Sequence, residues 1–359
     1  MSQVTVLHML PYLPLLLPLP AALAARTLSR CLEPRAATWL LTASALALAT
    51  LSSAALGILA GAGLIRLSLA AWAGHWSATA VRAGDPVTWA EAAPAAMLLA
   101  AAAYAAVRLL WRRGRALIAA GTQAACLPGI DQLVIIDDPV PDAYALPGLP
   151  GRIVVSTGML QALDHADRDA MLAHERAHLD GHHYAFLAAA HLAAAANPIL
   201  RPLATAVAYT VERWADENAA HACGDRRQVA RAVGKAALAT KHTPVRRHLP
   251  TTALGLLGLR RDPLHRAGPV PRRVAALLIP PLPRSLVLPL NWSLIPLAAT
   301  ACAVGASALC AFAAAHDYHL LLEIAGAWAP TPADRHNRTP SPGGTMTHLP
   351  SHSPSEPTA

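Results

Sequence analysis

The sequence predicts a mainly α membrane protein: three transmembrane helices, a cytoplasmic α+β domain, and a fourth transmembrane helix. Three observations carry that fold class. Of the 359 residues, 54% are hydrophobic and only 14% charged, with a mean hydropathy of +0.36, outside the usual range of soluble globular chains. Apolar runs at about 4–25, 37–65, 92–110 and 285–315 match the roughly 20 residues that cross a bilayer core of about 30 Å. Between the third and fourth runs, residues 111–284 change character to short β-branched segments and amphipathic patterns.

The first run carries no charge and four prolines, Pro11, Pro14, Pro18 and Pro20. No lysine or arginine precedes it, so a kinked transmembrane helix fits better than a secretory leader. Arg26, Arg30 and Arg35 follow it, and Trp111-Arg112-Arg113-Gly114-Arg115 closes the third run. By the positive-inside rule both clusters are cytoplasmic, which puts the N-terminus outside and the peptide between Arg66 and Glu91 outside. Trp72, Trp76 and Trp89 in that peptide sit where interfacial anchors occur. Arg272, Arg273 and Arg284 before the fourth run agree with a cytoplasmic 111–284. The tail, 316–359, is then external. It is rich in Pro, Ser, Thr and His, and is expected to be mostly disordered. The formal charge of +8 does not point to nucleic acid: only 4% of residues are aromatic and no basic stretch is interleaved with them. Five scattered cysteines without paired spacing predict neither a disulfide framework nor a cysteine metal site.

Within the insert, Gln132–Ile136 and Arg152–Ser156 read as strands separated by turn residues. A short helix starts at Thr157, and Asp164 and Asp167 are N-cap candidates for the next one. The apolar stretch from Ala185 to Tyr209 contains His191, Asn197, Pro198, Arg201 and Pro202, which argues against a clean fifth span. A buried or interfacial helical hairpin is expected instead.

The chemistry concentrates in His174-Glu175-Arg-Ala-His178. On a helix, positions i and i+4 share a face, so both imidazoles can reach one metal while Glu175 faces a water beside it. A catalytic zinc takes three protein ligands and keeps one position open. Glu212 is the best candidate for the third, with His191 and His221 as rivals. Asp216, one turn beyond Glu212, can accept a ring N–H from a ligating histidine. Glu175 is the expected general base and one Zn2+ per chain the expected cofactor. His182 and His183 follow closely and are expected beside the ligands or on the surface.

At these residues the chain resembles membrane-integrated zinc metallopeptidases of the BlaR/MecR antirepressor type, and is similar to the related HtpX and CAAX prenyl-protease class. His174-Glu175-x-x-His178, Asn197-Pro198, Glu212-x-x-x-Asp216, Ala143–Pro147, Ile153–Gly158 and Arg273-Val274 carry the likeness, over about 143–278. The resemblance implies a gluzincin-like domain, a zinc metalloendopeptidase activity, and His174, His178 and Glu212 as ligands, with Asp216 and Asn197 supporting them. It also implies an edge strand holding extended substrate, expected at Ile153, Val154, Val155 and Ser156. Two departures stand out. No penicillin-binding domain follows the fourth run, so direct beta-lactam sensing is not expected. Gly268-Pro269 replaces a His-Pro, leaving His265 as the candidate for stabilising an oxyanion.

The expected partners are a protein or peptide substrate and the lipid bilayer, with no direct nucleic acid. A cytoplasmic transcriptional repressor as substrate rests on the resemblance alone. The competing reading is a non-catalytic membrane signal relay or scaffold whose metal is structural. Proteolysis within the bilayer is disfavoured by Asp164, Asp167, Arg168, Asp169, Arg176 and Asp180 around the motif.

Overall fold

The computed structural model describes residues 10–65, 87–126, 132–149, 151–242, 269–280 and 294–327. Short helical turns over Leu10–Leu16 lead into α1 (Pro18–Cys31), followed by α2 (Pro34–Ile65) and α3 (Trp89–Cys126). The α+β part runs β1 (Leu133–Ile136), β2 (Ala143–Leu146), β3 (Arg152–Ser156), α4 (Thr157–Ala162) and α5 (His165–Asp180). Then come α6 (His183–Ala196), a 3-10 turn (Pro198–Leu200), α7 (Arg201–Cys223), α8 (Arg226–His242), α9 (Pro269–Leu278) and α10 (Leu294–Ala327).

Four stretches among the described residues are long and apolar enough to cross a membrane: Leu10–Cys31, Pro34–Leu64, Trp89–Cys126 and Leu294–Leu320. Their bounds differ from the sequence expectation for local reasons. The first is broken at Leu17 because Pro18 has no N–H to give the carbonyl of Pro14. Ser52 Oγ, on α2, donates to that carbonyl at 2.9 Å, so a neighbouring helix satisfies the group the proline leaves free. The third runs on from Leu110 to Cys126, since arginine and alanine are good helix formers and basic charge does not end a helix. The last continues through 316–327, part of the expected tail, with no proline between Pro296 and Pro330 to stop it. Residues 328–359, the expected start of the fourth helix before Leu294, and Trp72 and Trp76 lie outside the described residues.

The sheet has strand order β1-β3-β2, with β1 parallel and β2 antiparallel to β3. Alternation along the central strand faces Val154 to Ala120 and Ala124 at the end of α3, while Ile153 and Val155 meet Met159, Leu163 and Met171. Both faces of β3 are therefore covered and every residue in it is buried. The expectation of β3 as a substrate-holding edge is corrected by this pairing: hydrogen-bonded neighbours on both sides leave it no free edge, and the edges of the sheet are β1 and β2.

Residues 183–223 form the helical hairpin expected from Ala185–Tyr209. Helices α6 and α7 share the largest apolar cluster with α1 and α2, through Leu187, Ala190, Leu203 and Val207 against Leu28, Leu41 and Leu48. At the bend Asn197 accepts from Ile199 N at 3.1 Å and donates from Nδ2 to Ser52 Oγ at 3.1 Å. Ser52 lies 18 residues beyond Pro34, about 27 Å along α2. Helix α6, with 14 residues, is about 21 Å long, short of the roughly 30 Å of a bilayer core. The hairpin descends along α2 and returns, so α5 and the end of α7 come back to the same end of the bundle.

Candidate metal centre

Helix α5 starts at Asp164, whose Oδ1 accepts from Asp167 N at 2.9 Å, as the sequence anticipates. Its buried face carries Met171, His174 and Ala177. His174 and His178 bring their Nε2 atoms within 3.1 Å of each other. From α7, Glu212 Oε2 lies 3.7 Å from His174 Nε2, and Oε1 lies 3.6 Å from His178 Nε2. Neither His191, whose Nδ1 contacts the Leu187 carbonyl at 2.7 Å, nor the exposed His221 belongs to this group.

Behind it, His174 Nδ1 lies 3.0 Å from Asp216 Oδ1. A carboxylate can only accept, so the contact places the ring proton on Nδ1 and leaves Nε2 for a metal. Arg273 on α9 donates to Asp216 from Nε at 2.7 Å and Nη2 at 2.6 Å, and its Nη1 lies 2.7 Å from Glu212 Oε2. Arg226 in turn donates to the carbonyls of Ala276 and Leu277 at the end of α9, at 3.0 and 3.1 Å, and pairs with Glu217 of α7. The helix holding Arg273 is thus tied back onto the helix holding Glu212.

Three ligand atoms, one each from His174, His178 and Glu212, fall within 4.8 Å of one another. A tetrahedral ion with ligand bonds of roughly 2.0–2.2 Å requires ligand separations of about 3.3–3.6 Å, close to those found. The charges agree as well. Burial opposes ionisation of Glu212 and Asp216, yet Arg273 first and the histidines next hold both carboxyls below their usual range, Asp216 at about 2. Burial likewise opposes charge on His174, but Asp216 and then Glu212 raise it to about 10. Burial keeps His178 neutral, lowered to about 3. With one arginine facing two carboxylates, the pocket takes a proton where a cation would stand, which is the donor set and the charge that a divalent zinc ion requires.

Glu175 projects beside the ligands. Burial raises its carboxyl to about 7 against the pull of His174, and it accepts a hydrogen bond from the backbone of Ala145 on β2. Since Tyr144 pairs with Val154 and Ser156 N donates to the Asp142 carbonyl, the alternate residues Ala143 and Ala145 turn their peptide groups away from β3. Strand β2, and not the expected Ile153–Ser156, is therefore the edge on the side of Glu175.

Residues 110–196 match the family model for peptidase family M48. The matched span includes His174, Glu175 and His178 and ends before Glu212. It supports a metallopeptidase, and M48 peptidases are generally zinc-dependent. No curated protein and no solved structure matches the chain.

One residue named from the sequence stands elsewhere. Asn197 makes its hydrogen bonds at the hairpin bend, to Ile199 and Ser52, and does not support a ligand; its amide is consumed by capping a turn inside an apolar bundle. His265 lies outside the described residues. Arg273 is read from the sequence as one of the basic residues before the fourth run and as part of a short likeness, and nothing local marks its carboxylate partners. His183, expected beside the ligands or on the surface, is fully buried, with Nδ1 3.0 Å from His178 Nδ1. Its five-residue offset from His178 is neither of the helical spacings that bring side chains together, so the contact itself is not legible locally.

Proposed function

We propose that this chain is a membrane-integrated zinc endopeptidase that hydrolyses peptide bonds of protein substrates at the cytoplasmic face. The observation that carries the reading is the convergence of His174, His178 and Glu212 next to Glu175. When bound, zinc supplies Lewis acidity that polarises a peptide carbonyl and makes water nucleophilic near neutral pH. Glu175 takes a proton from the attacking water and returns it to the leaving amine, a role suited to a carboxyl held near 7. Asp216 and Arg273 fix His174 and Glu212. The outer edge of β2 receives the substrate as an added strand, with the carbonyls of Ala143 and Ala145 facing it, since their N–H groups are given to Asp142 and Glu175.

Four apolar helices and the alternating arginine clusters support a multi-pass protein with its N-terminus outside, residues 111–284 cytoplasmic and the tail outside. The re-entrant hairpin keeps His178 and Glu212 on one face. Regulatory cleavage of a cytoplasmic repressor belongs to this reading as one substrate class. The test is Glu175→Gln in purified full-length protein: one zinc per chain retained and peptide hydrolysis reduced by about 10²–10⁴-fold supports it. Full hydrolysis in the variant removes Glu175 from the mechanism. Tight zinc with no hydrolysis of any peptide in the wild type supports the scaffold reading instead. Reporter fusions at Gly181 and Ala219 that report opposite sides would overturn the topology.

A further inference from the structure

The two histidines of the site are held from behind by different chemistry. His174 leans on a carboxylate that a buried arginine fixes. Among the described residues no carboxylate stands behind His178; its Nδ1 meets the Nδ1 of another imidazole, His183, at 3.0 Å.

Two nitrogens at that distance share one proton, and either ring can carry it. His178 Nε2 points toward His174 Nε2 and Glu212, so a metal on that atom requires the proton on Nδ1. His183 Nδ1 must then accept, and its own proton must sit on Nε2. In the opposite arrangement His183 donates, His178 is protonated on Nε2, and an N–H occupies the metal position.

The surroundings hold His183 in this contact. Asp180 ends α5, and His182 takes the left-handed conformation, φ 49°, so the chain turns back and α6 begins at His183. Gly181 is required here: a Cβ on it would lie 2.4 Å from His183 Nε2 and 3.0 Å from the Ala177 carbonyl. The ring is fully buried, packs edge-on against His178 with centroids 4.9 Å apart, and lies 4.6 Å from the Trp214 ring. Trp214 is two residues after Glu212, and the Arg35 guanidinium covers it at 5.6 Å. Among the described residues no hydrogen-bond partner meets His183 Nε2. With the proton on Nε2, as metal binding at His178 requires, that N–H adds nothing to folding, and the gain from His183 lies in the contact with His178.

We propose that His183 is a positioning residue for the metal centre: as the acceptor for His178 Nδ1 it fixes the tautomer and ring plane that leave His178 Nε2 free to bind the ion. The proposal rests on the metallopeptidase reading and deepens it. An imidazole acceptor adds no charge to a pocket that already holds two carboxylates, whereas Asp216 is balanced by Arg273.

The test compares His183→Phe, which keeps a ring against Trp214 but cannot accept, with His183→Gln, whose side-chain carbonyl can. Full-length protein in detergent is titrated with zinc against graded chelators, and Co2+ is substituted to read the ligand field by absorption. The expected result is a zinc affinity about 10–100-fold weaker in His183→Phe and within about threefold of wild type in His183→Gln. The thermal midpoint of metal-free His183→Phe stays close to that of the wild type, because loss of the contact to His178 is offset by removal of a buried ring nitrogen that has no partner among the described residues. Wild-type affinity and an unchanged cobalt spectrum in His183→Phe would overturn the proposal, leaving His183 as packing. So would equal losses in both variants accompanied by equal falls in the metal-free midpoint. A wild type that binds no zinc fails differently: it overturns the metallopeptidase reading itself.

Discussion

Helix α7 has two working faces, and they are built from opposite chemistry. Toward α5 and α9 it presents Glu212 and Asp216, ionic groups locked by Arg273 and aimed at two imidazoles. Toward α1 and α2 it presents Thr210 and Arg213 within an alanine- and leucine-rich surface. There Thr38 Oγ1 donates to Thr210 Oγ1 at 2.9 Å, and Arg213 Nη1 donates to the Ser29 carbonyl at 3.3 Å. One face is a charge-balanced chemical site; the other is a packing surface pinned by single hydrogen bonds. The contrast teaches where substitution should abolish chemistry and where it should only loosen the bundle.

The largest effect is expected at Glu212. Glu212→Gln removes the anionic ligand while keeping shape, and should weaken zinc binding by at least about 100-fold in chelator competition. Hydrolysis should fall with it. Zinc bound as tightly as in the wild type would break the contrast at its centre. Next is Arg273→Leu, which leaves Glu212 and Asp216 buried without their counter-charge. Breaking a buried ion network from one side costs about 3–5 kcal/mol, to be read from denaturant unfolding of metal-free protein. Saturating zinc should restore part of that loss, because the ion replaces the missing positive charge. A loss under about 1 kcal/mol would mean that the ionic face is no stiffer than the apolar one.

The difference between the faces also explains what was legible in the sequence. His174, Glu175 and His178 sit at helical spacing within five residues, and Glu212 and Asp216 repeat that spacing, so one-dimensional periodicity exposes both halves of the ionic face. The apolar runs announce their helices for the same reason. Strand pairing is not written locally: β3 reads as a strand from its composition, but whether it lies at an edge depends on where β1 and β2 dock, which is a tertiary fact. Asn197 is expected from the resemblance to support the ligands, whereas its partner Ser52 is 145 residues away, a tertiary pairing that no local pattern marks. For His183 the sequence leaves open a place beside the ligands or on the surface, because a turn through a left-handed residue, not a helix, brings it to His178.

A pH experiment separates a third carboxyl from both faces. Asp142, at the start of β2, is raised from 3.8 to about 6, by burial first and by the charge of Asp138, against the hydrogen bond from Ala143. The folded protein holds that proton between those two values and the unfolded chain does not. Its contribution to stability is therefore full below about pH 4 and is lost as pH rises through 6. Asp142→Asn, neutral at every pH, should be more stable than the wild type above pH 6, by up to about 3 kcal/mol, and show no gain below pH 4. Urea unfolding at pH 4, 6 and 7.5 reads the difference; a gain independent of pH would assign it to packing.

The smallest effect belongs to the apolar face. Thr38→Val and Thr210→Val each remove one hydroxyl from the buried pair, while the remaining one keeps its own backbone acceptor, the Pro34 carbonyl for Thr38 and the Val207 carbonyl for Thr210, so each single change should cost about 0.5–1.5 kcal/mol. The double variant loses the shared hydrogen bond only once, so the two changes should be less than additive, with a coupling of about 0.5–1 kcal/mol in a double-mutant cycle. Zinc affinity should move by less than about threefold in all three, since Glu212 is held from the other side by Arg273. If the double variant instead releases zinc, the two faces of α7 are not independent, and the position of the first two apolar helices is transmitted through Thr210 to the ligand two residues away.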